Sequence, residues 1–327
     1  MENTLTIIEP SNYFKTAEPP VHNAFITANT VACTIEELRN VHHIPVFIKD
    51  NEPVISQLDF INTTQDVLES IFPGERILKP QIRVSHPIKG RVPEAKNKPA
   101  NALQDWEKTI YYERAAFVFE IPSIQDEING NKVSLTVGGV KAYNLDNLYS
   151  RKGVEEHFKI FIGFQNRVCT NMCVWSDGYI GDLKVRSIDQ LKSAIDMLIQ
   201  SYSLSEHLSD MKQLTNYHLT EQQFALLIGR CRMYQHLPKN TRENISVMSL
   251  SLTDTQVGAV VKDFYWDDNF HGNNDHNISL WNLYNLLTGA NKTTYIDNFL
   301  DRSVNAYSFV KQLQFGIDRK SHNWFLS

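Results

Sequence analysis

Apolar residues recur at helical spacing through the second half of the chain. Ser187-Ile188-Asp189-Gln190 has the form of a capping box, and Leu191, Ala194, Ile195, Leu198 and Ile199 follow on one helical face. Thr220 with Gln223 repeats that start signal before Phe224, Leu226 and Leu227, as does Thr253 with Gln256 before Val257, Val260 and Val261. Segments 279–288 and 295–315 predict two further helices. The first half reads differently. Runs 44–48, 115–121, 133–137 and 159–164 are short and rich in β-branched and aromatic residues, which predicts strands. Thr34 with Glu37, and Thr63 with Asp66, have the spacing that opens short helices. The expected fold class is α+β: a mixed sheet-and-helix part over 1–186, then a mainly helical part over 187–327. The change of character near 186 is either a domain boundary or a seam inside one domain.

Pro73, Pro80, Pro87, Pro93 and Pro99 interrupt the stretch between them every six or seven residues, so it is extended or looped and not one helix. Charge makes this stretch the strongest functional pointer. From Arg76 to Lys98 seven bases (Arg76, Lys79, Arg83, Lys89, Arg91, Lys96, Lys98) face one acid, Glu94, a local balance of +6. The whole chain carries −5, which leaves −11 elsewhere. A cationic strip on an anionic molecule meets a polyanion first. Trp106, Tyr111 and Tyr112 come next, interleaved with Lys108 and Arg114, and rings among cations suit stacked bases and held phosphates. The structural alternative is a charged edge strand with its connection.

Composition narrows the remaining chemistry. With 327 residues, 42% hydrophobic and 21% charged, the chain is an ordinary globular protein of one large or two modest domains. Met1-Glu2-Asn3-Thr4 lacks the positive start of an export signal, and no apolar run approaches a membrane span, so a cytoplasmic protein without membrane contact is expected. The four cysteines fit reduced thiols. Cys169 and Cys173 lack zinc-pair spacing and read as core residues. Asp267, Asp268, His271, Asp275 and His276 form the one candidate metal cluster, within an Asn-rich turn. His42-His43 predicts carbonyl capping at a helix end, and Gly138-Gly139 a hairpin turn. Leu280, Leu283, Tyr284 and Leu287 share a buried helical face; helix propensity supplies no reason for Asn282 and Asn285 beside them. No nucleophile elbow, phosphate loop or zinc-protease motif is present, so neither a catalytic residue nor a cofactor is expected.

Three segments resemble a known family: Ser85 to Pro93 with Tyr111-Tyr112-Glu113-Arg114, Asn166 to Asn171, and Ser279-Leu280-Trp281-Asn282-Leu283-Tyr284-Asn285 through Asp301-Arg302. They are similar to the bacterial domain of unknown function 3871, and the last two also resemble a wider group of phage- and plasmid-like proteins. The resemblance implies a cytoplasmic protein of mobile elements, concerned with DNA replication, recombination or maintenance, and carries no catalytic residues with it.

The expectation is a non-catalytic protein that binds DNA, single-stranded in preference, with annealing during recombination as one form of it. Arg83, Lys89, Arg91, Lys96, Lys98 and Arg114 would hold phosphates, with Tyr111 or Tyr112 as the stacking platform. Such a protein would assemble with further copies of itself. Two other readings are a protein-interaction module docking an acidic face, and a metal-dependent enzyme built on the 263–276 loop.

Overall fold

In the computed structural model, which describes residues 24–41, 55–146 and 155–327, β1 (Val31–Cys33) runs into a capped helix. Thr34 and Glu37 exchange side-chain-to-backbone hydrogen bonds of 3.1 and 2.7 Å at the start of α1 (Ile35–Val41). The next helix, α2 (Gln57–Ile71), begins earlier than the Thr63 signal predicts, because Ser56 and Asp59 form the capping box and Thr63 lies inside the helix. The His42-His43 pair and the strand predicted over 44–48 lie outside the described residues.

β2 (Gln81–Val84), β3 (Pro87–Arg91), β4 (Lys108–Tyr112), β5 (Arg114–Ile128), β6 (Asn131–Ala142), β7 (Glu156–Asn166), β8 (Met172–Cys173) and β9 (Tyr179–Val185) follow. Asn129 and Gly130, at φ 48° and 78°, make the two-residue turn that folds β6 back on β5. Two positive φ values match the twist of the strands. The resulting antiparallel sheet has the order β1-β2-β5-β6-β7-β8, with β9 also on β7.

Gly138 and Gly139 make no turn. Both sit in mid-β6, and their missing Cβ atoms explain why: a Cβ at Gly139 would lie 2.4 Å from the Phe60 ring of α2, and one at Gly138 2.0 Å from the Phe117 carbonyl oxygen. The glycines let a helix and a neighbouring strand approach closely.

The helical part comprises α3 (Ile188–Ser201), α4 (Leu204–Gln213), α5 (Glu221–Tyr234), α6 (Lys239–Glu243), α7 (Asp254–Trp266), α8 (Leu280–Asn291) and α9 (Ile296–Asp318), with a small pair of strands, β10 (His218–Leu219) and β11 (Ile278–Ser279). The fold class is α+β. Phe117, Phe119, Leu135, Val137, Ile160 and Ile162 on one sheet face join Phe60, Leu191, Ile195, Trp281 and Tyr307 in one continuous core. Ala116, Val118, Val140 and Phe161 on the other face meet Ile296, Phe299 and Leu300 of α9 in a second. Strands buried on both faces carry apolar side chains at successive positions, which is why Ala115 to Phe119 shows no alternation.

Candidate nucleic-acid interface

The basic strip supplies one strand of a ribbon and the start of its loop. β3 and β4 pair only with each other among the described residues, and they continue the β2–β5 pair beyond the sheet after a break at Ser85–His86 and Glu113. Pro87, which has no N–H to give, sits at the break. Lys89 is opposite Ile110 and Arg91 opposite Lys108. Directly opposed residues share a face of an antiparallel pair, and positions two apart stay on it. Lys89, Arg91 and Lys108 are therefore gathered on one face of the ribbon, about 3.3 Å of rise per residue apart along each strand.

The loop joining β3 to β4 is built around a buried carboxylate. The Glu107 side chain is 2% exposed, accepts the Gln104 N–H at 2.9 Å and pairs with the Lys98 ammonium. The Lys98 ammonium holds this carboxyl below the usual range, with the Gln104 N–H adding to the effect. Val92 donates its N–H to the Glu107 carbonyl at 2.8 Å, and Ala95 is buried beneath short 3-10 turns at Pro93–Ala95, Ala100–Ala102 and Asp105–Glu107. On the last turn Trp106 is 72% exposed, with the Lys98 ammonium 6.0 Å from its ring centre.

Placed on this frame, the candidate residues separate. Lys89 and Lys96 are exposed, and Arg91 donates to the Lys98 carbonyl. Lys98 and Arg114, expected on phosphates, are engaged by carboxylates: Lys98 by Glu107, Arg114 by Glu113 and by Asp297 of α9 at 2.6 Å. Arg83 is held within the sheet by the Thr30 hydroxyl at 3.1 Å and carbonyl at 2.8 Å. Arg76 and Lys79 flank the far end of β2, where Leu78 donates to the Glu120 carbonyl, so the strip is split by the sheet. The tyrosines are braces at the root of the ribbon. Tyr111 packs edge-on to Tyr143 with centres 6.2 Å apart, and half-buried Tyr112 rests on the core, its hydroxyl pushed up to about 12 by burial and then by Cys33 and Glu37.

The metal cluster does not assemble. Among the described residues no three His, Cys, Asp or Glu side chains come together as metal ligands. Asp267 instead accepts the N–H groups of Asn269 and Phe270 at 2.9 and 2.8 Å, its carbonyl meets the His271 Nδ1, Asp275 donates its N–H to Asn273, and His276 lies against Tyr265; Asp268 is exposed. Cys169 and Cys173 are free thiols. An open groove of about 560 Å³ between β9 and α3 mixes Lys184 and Arg186 with Glu155 and Asp189 beside Met197.

Trp106 and Lys108 stand out in the structure more than in the sequence. The available signal was Gln104 with Glu107, capping-box spacing that fixes a turn around the indole. The second and third family segments meet inside the protein: Asn166 donates to the Asn285 side-chain oxygen at 3.2 Å, and Asn171 to the Asn285 carbonyl at 2.8 Å. A sequence profile described as "Domain of unknown function, B. Theta Gene description (DUF3871)" matches residues 3–326. The chain belongs to this family. No curated protein and no solved structure matches it. Among the described residues no helix is long and apolar enough to cross a membrane.

Proposed function

We propose that this chain is a non-catalytic, cytoplasmic protein of a bacterial mobile element that binds single-stranded DNA in recombination or replication, annealing included. The observation that carries the reading is the gathering of Lys89, Arg91 and Lys108 on one face of a ribbon that continues past the sheet, with Lys96 in its loop. Arg83, Arg114, Lys98, Tyr111 and Tyr112 hold the ribbon's root and loop in place. Lys108 meets Asp105 at 2.7 Å in an exposed pair, which a phosphate can displace because such pairs contribute little. The mobile-element setting rests on the resemblance to phage- and plasmid-like proteins.

A labelled oligonucleotide titrated across a salt series tests it. Four phosphate contacts on a single strand give a slope of about −3 in log affinity against log salt. Lys89→Glu with Arg91→Glu should abolish binding at moderate salt; because Arg91 also donates to the Lys98 carbonyl, Lys89→Glu alone, at an exposed side chain, should weaken binding while leaving the melting temperature unchanged. Affinity that ignores salt, or survives the double reversal, overturns the proposal. A discrete complex with another protein and no affinity for oligonucleotides would establish the interaction-module reading instead.

A further inference from the structure

Resting on the reading just given, we infer that Trp106 is the base-stacking residue of the ribbon and the reason it would select single-stranded over duplex DNA. The indole is displayed, not left loose. The 3-10 turn that carries it is capped at one end by the Gln104–Glu107 exchange and closed at the other by the Lys108 N–H on the Asp105 carbonyl. Glu107, next to it in the chain, is the buried anchor of the whole loop through Lys98, Gln104 and the Val92 N–H. The ring thus stands on a fixed support with its surface in solvent.

What surrounds the ring decides what it can receive. Lys98 lies 6.0 Å from its centre, Lys108 is two residues on, and Lys96 is exposed in the same loop. A cation beside an aromatic face, with further lysines on the same loop and at the start of the next strand, fits a base stacked on the ring and its phosphates held alongside. Duplex DNA keeps its base faces inside the helix and offers no such surface. A single strand does, so stacking adds to affinity for that form alone. Trp266 makes the contrast. It is 77% exposed at the end of α7, but Asp267 and Asp268 follow it, and that acidic setting repels phosphate. Trp106 has acidic neighbours too, Asp105 and Glu107, but these are paired with Lys108 and Lys98, and of the two exposed indoles it is Trp106 that has an ammonium placed beside its ring.

The experiment compares labelled oligodeoxythymidine, oligouridine and a mixed-sequence DNA duplex on the full chain and its variants. Trp106→Ala should weaken single-strand affinity by about 5- to 150-fold, the range that corresponds to loss of one stacked base, and leave duplex affinity unchanged. Trp106→Phe should restore most of the loss, Trp266→Ala should behave as the parent chain, and oligodeoxythymidine should quench a tryptophan signal that Trp106→Ala lacks. Equal melting temperatures establish that the variants fold. If Trp106→Ala binds every probe like the parent while Lys89→Glu with Arg91→Glu still abolishes binding, the stacking role is overturned and the cationic face stands. Equal losses on single strand and duplex would likewise overturn stacking, and tighter binding of oligouridine would overturn the choice of DNA. No binding by the parent chain at any salt would overturn the underlying reading.

Discussion

Asn285 shows what a single residue does here. Helix propensity gives no reason for asparagine in α8, yet the side chain is buried, donates to the Trp281 carbonyl at 2.9 Å and accepts from Asn166, while its backbone carbonyl accepts from Asn171. Asparagine both donates and accepts, so one residue joins a helix to the turn between β7 and β8. Replacing it by alanine leaves the buried Asn166 amide without that acceptor. Asn285→Ala should cost about 1–3 kcal/mol, read as a lower urea midpoint with the slope unchanged. Asn282 has a different part: its N–H is capped by Ser279 at 3.1 Å and its amide reaches the His271 carbonyl at 3.4 Å. Neither role was legible in the sequence, because the deciding partners, Asn166, Asn171 and His271, lie outside the helix.

At the scale of elements, patterns tied to local backbone chemistry were the legible ones. The caps at Thr34, Ser187, Thr220 and Thr253 start helices where their spacing predicts. Gly138-Gly139 was misread because a glycine pair signals both a turn and a close approach, and only packing decides between them. That difference is measurable. Gly139→Ala forces a Cβ to within 2.4 Å of Phe60 and of the Lys159 carbonyl, and should destabilise by about 1–3 kcal/mol through overpacking. Gly229→Ala, in α5 with nothing within 4 Å of the new Cβ, should stabilise by up to about 1 kcal/mol from helix propensity. Thermal unfolding of both variants checks the opposite signs. The ribbon belongs to this scale too: prolines excluded a helix, but strand pairing chose which cations share a face.

For the molecule as a whole, the junction of sheet and helices holds a buried histidine. His207 of α4 is enclosed by Phe164, Trp175, Tyr202 and Tyr307, and its Nδ1 meets the Tyr202 hydroxyl. Burial pushes it down to about 3 from an ordinary 6.5. Between those values the unfolded chain binds a proton that the folded chain does not. Stability therefore falls as pH drops below about 6.5, by about 1.4 kcal/mol per unit, and this contribution levels off near 3. Urea unfolding between pH 6.5 and 5 works above the range of ordinary carboxylates, and a His207 variant separates this side chain from the other ten histidines. His207→Gln should flatten the stability curve there, and an unchanged slope would assign it to other groups.

Composition, hydrophobic period and cap spacing sufficed to establish an α+β protein with a helical second half and a cationic stretch that is not a helix. These are local properties, set by residues within one or two turns of each other. Convergence was decided only in the folded chain. Tertiary pairing put Lys98 and Arg114 on carboxylates, Tyr112 on the core and Arg83 on Thr30, kept the 263–276 ligands apart, and left Lys89, Lys108 and Trp106 exposed with half-buried Arg91 on the same ribbon face as the two lysines. A charge count along a chain contains no information about which acid a cation will meet, because that acid can be more than a hundred residues away, as Asp297 is from Arg114.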